Sequence, residues 1–253
     1  MKDYKKYPVL ISLHKAGSTW VNSFIHKLYR KIGVTLPPNN NYTEIFGDLH
    51  DPSKAFNPLN YNERIKLLEK LRLFGLEVNA KHHVPEIKSI WPWFKEFYKN
   101  HDVLVLKRRN LKGHFISQLF NDCLTKQMPY QLRQTRYEVA NNYGIVAEDI
   151  MKANILEYKV EFKFDKKLFN NFCNHIRFLE DVVIPDMKPQ VIYKEDINHE
   201  WLEERFRVSI DSVKVAPFKT LKYINYFSLK EQATIKSAID DILEKEFKYY
   251  GYK

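Results

Sequence analysis

Val9-Leu10-Ile11-Ser12-Leu13-His14-Lys15-Ala16-Gly17-Ser18-Thr19-Trp20 is the stretch that decides how this chain is read. Val9–Leu13 is short, apolar and partly β-branched, the pattern of a buried strand. It stops at His14-Lys15-Ala16-Gly17. Ser18 is a good N-cap residue, and Trp20, Val21, Phe24, Ile25 and Leu28 then fall on one helical face. Gly33 is expected to end that helix. A strand, a glycine turn and a helix start together make an anion cradle, because backbone N–H groups and the helix dipole meet at one spot. Gly17 lets the backbone come close. Lys15 adds a full charge, and Ser18 and Thr19 add hydroxyl donors. The lysine precedes the glycine, unlike the G-x-x-x-x-G-K-[ST] phosphate loop. Taken alone, the segment also reads as an ordinary β-turn-α connection.

Outward from there, strands and helices alternate. Helical patterns cover Tyr61–Leu73, Pro85–Lys99, a run from Asn110, Leu168–Val183, Glu200–Phe206 and Ser228–Phe247. Strand patterns cover Leu76–His83, Asp102–Lys107 and Gln190–Tyr193. This order predicts an α/β fold, a three-layer sandwich whose central parallel sheet is flanked by helices. In such sheets ligands bind outside the carboxyl ends of the strands. Three strand ends carry suitable chemistry. The first is the cradle. The second is Lys81-His82-His83-Val84-Pro85, where alternation puts Lys81 and His83 on one face and His82 on the other. A histidine at such an end suits a general base. The third is Lys107-Arg108-Arg109 followed by Asn110, Gly113 and Ser117 near one helical face. Arginine forks suit phosphate oxygens, and Gly113 is expected to leave space along that face for a ligand of Ser117. Residues 36–60, rich in Pro, Asn and Asp, read as a long loop and residues 123–165 as a mix of helix and loop, within a single domain spanning 1–253.

Composition sets limits on this reading. The chain is 44% hydrophobic and 28% charged, with a net charge of +10, which suits anionic partners. The lysines are dispersed rather than blocked. No run reaches the roughly 18–20 apolar residues of a membrane helix, and Val9–Leu13 is too short for a signal-peptide core. A cytoplasmic protein is expected. Cys123 and Cys173 are the only cysteines, so neither a disulfide framework nor a cysteine zinc site is in view.

In order and spacing, these segments resemble the sulfotransferases that use 3′-phosphoadenosine 5′-phosphosulfate (PAPS). Lys15-Ala16-Gly17-Ser18-Thr19-Trp20 is similar to the 5′-phosphosulfate loop P-K-[SA]-G-[ST]-[ST]-W, with His14 in place of the proline. Lys81-His82-His83-Val84-Pro85 is similar to K-T-H-L-P, and Arg109 to Ser117 to R-[ND]-P-x-D-x-x-x-S, with Leu111 for the proline and Gly113 for the aspartate. Tyr193-Lys194-Glu195-Asp196 resembles the Y-E-D-[LM] strand end. The C-terminal R-K-G loop has no clear counterpart; Lys219 lies in about that region. The resemblance implies a P-loop-like sulfotransferase fold and in-line transfer of a sulfuryl group to a hydroxyl or amine. It implies His83 as the base and Lys15 as the charge stabiliser. Lys15, Ala16, Gly17, Ser18, Thr19 and Trp20 would hold the 5′ side of PAPS, Arg109 and Ser117 the 3′-phosphate, with Tyr193 and Lys219 as further contacts. The product would be adenosine 3′,5′-bisphosphate and no metal would be needed. The acceptor would be a small molecule or glycan.

Three alternatives stay open on the residues. A nucleotide or small-molecule kinase would need a metal-holding carboxylate, for which Glu195 and Asp196 are candidates. A non-catalytic nucleic-acid-binding protein would show a basic stripe with interleaved aromatics, of which Arg133, Arg136 and Tyr137 are only a fragment. A related fold that has lost catalysis would not be expected to keep Lys15 and His83.

Overall fold

The computed structural model describes residues 8–18, 21–22, 25, 61–73, 81–128, 147–206 and 223–252. Thr19, Trp20, Gly33, Lys219, the 36–60 loop, residues 76–80 and the basic fragment at 133–137 lie outside them. The chain divides into two compact units, one of residues 1–109 and 173–218, the other of residues 110–172 and 219–253.

The first unit holds a four-stranded, all-parallel sheet in the order β2-β1-β3-β4. The strands are β1 (Val9–Ser12), β2 (Lys81–His83), β3 (Val103–Lys107) and β4 (Gln190–Tyr193). All residues of β1, β2 and β3 are buried, as expected of strands covered on both faces. The period of two sorts their side chains. Leu10, Leu104, Leu106 and Ile192 pack with Ala16, with Val21 and Ile25 of the helix that opens at Ser18, and with Ile197 and Trp201. Trp201 belongs to α8 (His199–Phe206). Ile11 pairs with His82, whose ring meets Phe94 edge-on at 4.7 Å and lies 5.4 Å from Tyr98. Helices therefore cover both faces, and the fold is α/β with three layers.

Three expected helices are interrupted, and proline explains two; in the third, expected over Ser228–Phe247, the α-helix ends at Ile242 and a π turn (Leu243–Phe247) follows. Pro85–Lys99 is α2 (Val84–Ile87), a 3₁₀ turn (Lys88–Ile90) and α3 (Trp91–Phe97). Pro92 has no N–H for Lys88 and its ring crowds that carbonyl, so the regular helix stops and restarts. After α6 (Lys166–Phe178), a π turn (Leu179–Val183) and α7 (Ile184–Met187) follow, with Pro185 at the start of α7. Elsewhere the expected bounds move little. α1 is Tyr61–Leu73, packing Leu68 against Ile90, Trp93 and Phe97.

The second unit contains α4 (Leu111–Gln127), α5 (Ala147–Glu157), the first part of α6 and α9 (Leu229–Ile242). Asn110 caps α4, accepting the Gly113 N–H at 2.7 Å. Aromatic rings fill this unit. Phe115 packs on Phe164, Phe169 and Phe172, and Phe120 stacks on Phe162 at 4.9 Å and on Tyr223 at 4.5 Å. Both cysteines are buried. Among the described residues, no helix is long and apolar enough to cross a membrane.

An ion pair in the first unit has both side chains largely buried. Lys107 at the end of β3 lies 2.7 Å from Glu180 in the π turn, and both side chains are less than one-tenth exposed. Removing one partner of such a pair costs about 3–5 kcal/mol, whereas replacing both by apolar groups is often neutral or better. Glu180→Ala is therefore expected to lower the unfolding free energy by about 3–5 kcal/mol in urea titrations, with Lys107→Met/Glu180→Leu recovering most of it. A loss below about 1 kcal/mol in Glu180→Ala would show that this pair does not hold the π turn to the sheet.

Candidate functional site

Strand order places a switch point between β1 and β3: the chain leaving β1 goes to β2 on one side, and the chain leaving β3 goes to β4 on the other. Ligands of open α/β sheets sit in that crevice. The segment that follows β1 there is His14 to Ser18. Lys15 has φ 63 and Gly17 has φ 95, so the chain turns through two left-handed residues. For lysine that region is uncommon, and such strain gathers at functional turns. Ala16 is fully buried and donates its N–H to the Leu13 carbonyl at 3.3 Å. The Gly17 carbonyl accepts the Val21 N–H at 3.2 Å. The helix thus starts one residue earlier than its sequence suggests, with Gly17 at the cap position and Ser18 already helical. Helix geometry leaves the first-turn N–H groups without a carbonyl below them.

Cations from neighbouring strand ends gather around this turn. Arg108, just after β3, is buried and reaches the Lys15 carbonyl at 3.5 Å. Lys194, just after β4, lays its aliphatic chain on Gly17: a Cβ there would lie 3.0 Å from its Cδ and 3.3 Å from its Cε. Any other residue at Gly17 would push Lys194 away as well as strain the turn. Lys15 itself is exposed at the rim. Lys194 is half-buried, and its pKa is pushed down to about 8, first by burial and then by the Arg108 charge, with Glu195 opposing. Sequence reading named Arg108 as one of two phosphate-suited arginines and quoted Lys194 within a motif, but assigned neither to the Gly17 turn, although each is the first basic residue after a strand.

His83 stands beside the turn at the end of β2. Its Nδ1 lies 3.3 Å from Ser12 Oγ, and its ring centre is 4.1 Å from that of His14. Its backbone N–H donates to Glu86 Oε2 at 2.9 Å. Burial pushes the His83 pKa well below 6.5, and the charges of His14, Lys81 and Lys15 add to this. The ring is therefore neutral and carries a lone pair. His82 points to the other face, with Nε2 3.3 Å from the Tyr98 hydroxyl and a pKa pushed down to about 3 by burial. The two neighbours thus have the separate environments that strand alternation implies.

The residues expected at the 3′-phosphate are differently arranged. Arg109 pairs with Asp196, donates its backbone N–H to Glu195 at 3.2 Å, and lies 3.9 Å over the Tyr193 ring. Glu195 and Asp196 are thus spent on Arg109, and one face of Tyr193 is already stacked. Ser117 lies in the second unit, where its hydroxyl donates to the Gly113 carbonyl at 2.8 Å. The space expected above Gly113 is filled: a Cβ there would lie 3.2 Å from the Asn110 carboxamide. Glycine at 113 serves the helix cap.

No protein-family model matches the chain. It is similar to an argininosuccinate synthase of Natronomonas pharaonis, with 29% identity over 82 residues. The match takes in 32% of this chain and 20% of that synthase, so the chain spans about a fifth of the length of the curated relative it matches.

The depressed Lys194 pKa gives the cationic cluster a pH signature. A bound anion favours the protonated amine, so affinity is full below about pH 8 and falls as pH rises through that value toward the higher pKa of the complex. Sulfate, whose charge is constant in this range, is the probe for calorimetric titration. Wild type is expected to lose affinity between neutral pH and about pH 9.5, while Lys194→Met binds more weakly and with little pH dependence. The same fall in both proteins would remove Lys194 from the anion site.

Proposed function

We propose that the protein is a sulfotransferase that moves a sulfuryl group from PAPS to a hydroxyl or amine of a small-molecule or glycan acceptor, releasing adenosine 3′,5′-bisphosphate. The observation that carries this reading is the gathering of Lys15, Arg108 and Lys194 around the left-handed Gly17 turn, beside a neutral, buried His83. Such a cradle fits a phosphosulfate: backbone donors and cations surround a glycine turn over which the Lys194 chain lies. PAPS bound there would supply the activated sulfuryl group.

On this reading the residues of the first unit divide the work. Lys15 and Arg108 neutralise charge that builds on the leaving phosphate oxygen, with the helix start aiding them; they are in place before the charge develops. His83 takes the proton of the acceptor nucleophile. Ser12 orients the ring through Nδ1. An anion in the cradle cancels part of the positive field that depresses the His83 pKa, which makes the ring a stronger base when substrate is present. Arg109 is assigned to the 3′-phosphate and would exchange Asp196 for it. Thr19, Trp20 and Tyr193 keep the roles that the resemblance implies. The transferring group carries less charge than a γ-phosphate, so cationic side chains suffice and no metal enters the step.

Labelled PAPS incubated with a panel of phenols, sugars and amines in excess EDTA is the direct test; transfer that fails with chelator and returns with Mg²⁺ would favour a kinase-like enzyme instead. Adenosine 3′,5′-bisphosphate should raise the melting temperature more than adenosine 5′-monophosphate does, and Arg109→Ala should erase the difference. Equal stabilisation of wild type by the two nucleotides would remove Arg109 from the 3′-phosphate.

The two histidines separate base from scaffold. At saturating acceptor, His83→Ala is expected to lower turnover by about 100- to 10,000-fold with bisphosphate affinity little changed. His82→Ala is expected to act on stability, by roughly 0.5–3 kcal/mol. Near-normal turnover in folded His83→Ala would overturn the assignment.

A further inference from the structure

His83 belongs to a second grouping that sulfuryl transfer does not use. One ring nitrogen of His14, one of His83 and a carboxylate oxygen of Glu86 all lie within 4.8 Å of one another. His83 and Glu86 are buried and His14 is half-buried. Two of the three are held in place. Glu86 Oε2 accepts the His83 backbone N–H at 2.9 Å, and Ser12 Oγ lies 3.3 Å from His83 Nδ1. His14 is on the turn, with its ring tilted 37° to that of His83.

We propose that His14, His83 and Glu86 form a binding site for a borderline divalent cation of the zinc, cobalt or nickel type. Two imidazoles and one carboxylate are a donor set that such ions favour, while magnesium and calcium prefer oxygen alone. Bonds of about 2.0–2.1 Å in a tetrahedral shell put ligand atoms about 3.4 Å apart. The present spacing therefore has to close by about 1.4 Å at most. Three protein ligands leave a fourth position for water. Ser12 and the His83 backbone N–H act as the outer partners that fix His83 and Glu86. Lys15 and Lys81 contribute positive charge nearby, so the site binds more weakly than a closed structural zinc site. Occupancy would take the lone pair of His83, so the ion would inhibit transfer. That consequence rests on the sulfotransferase reading; the binding itself does not.

Cobalt(II) added to the metal-free protein, without nucleotide or acceptor, reads the site directly. Its visible d–d bands should intensify and saturate at one ion per chain as the aqua shell is replaced. His14→Ala, and Glu86→Gln, which keeps an acceptor for the His83 N–H, should each weaken binding by more than the ~10–100-fold typical of losing an outer partner. Circular dichroism confirms that each variant is folded. Wild-type bands that stay at the aqua-ion intensity would overturn the proposal, as would a His14→Ala titration that matches wild type. In the transfer assay, zinc(II) should inhibit and EDTA should restore the rate. Cobalt binding without zinc inhibition would leave the site intact and count against His83 as the base.

Discussion

A chain that leaves a central, fully buried strand must reverse into a helix without stranding peptide groups in the core. Residues 13–18 meet that demand by taking two left-handed positions, Lys15 and Gly17, on either side of buried Ala16. Ala16 anchors the turn under the sheet, its N–H used on Leu13 and its side chain among Leu10, Val21 and Ile25. With the turn pinned there, the helix start faces the β1/β3 switch point, and the ends of β2, β3 and β4 arrive around it in parallel register. Each strand end contributes one group: His83, Arg108 and Lys194 in the order in which the strands lie beside β1.

Electrostatics then follow from position. Arg108 is buried and Lys194 is half-buried, and their places after β3 and β4 bring both to a helix start that is itself positive. Two pKa shifts follow: burial first and then the Arg108 charge push Lys194 down, while burial first and then the charges of His14, Lys81 and Lys15 push His83 down. A dianion in the cradle would relieve both. Two other histidines carry a separate consequence. His82 and His175 have pKa values pushed down to about 3 and about 4, so unfolding takes up protons at these rings once pH drops below their ordinary 6.5. The unfolded state then binds more protons than the folded one, and stability falls as pH falls through that window.

Legibility in the sequence tracked how local each determinant is. The parallel sheet was readable because β1 and β3 are short apolar runs, and β4 was found with its bounds unchanged. The split of His82 from His83 needed only the two-residue period of a strand. What escaped depended on partners far along the chain. Arg108 was masked by its neighbour Arg109, and only the packing of β3 against β1 shows that it is Arg108 that turns toward Lys15. Lys194 lies 177 positions after Gly17 and reaches it solely because β4 follows β3 in the sheet. Gly113 was read as open space because glycine usually is; the Asn110 cap occupies that space instead. The two prolines at 92 and 185 were visible, but their effect was underweighted against an unbroken helical pattern.

His83 is placed so that one property serves two ends. Burial and neighbouring cations keep its ring neutral, and a neutral imidazole is what both proton abstraction and metal ligation require. Under the two proposals, what fills the cradle sets the strength of both. Without an anion, Lys15 and Lys81 oppose both a proton and a metal ion at His83. With an anion, that field weakens, so the ring gains basicity and affinity for a dication together. The two outcomes then compete for the same lone pair. On those proposals, the site would favour proton transfer only while borderline metals are scarce. The decisive side chain is His14, because it lies within reach of His83 and Glu86 and is the least buried of the three.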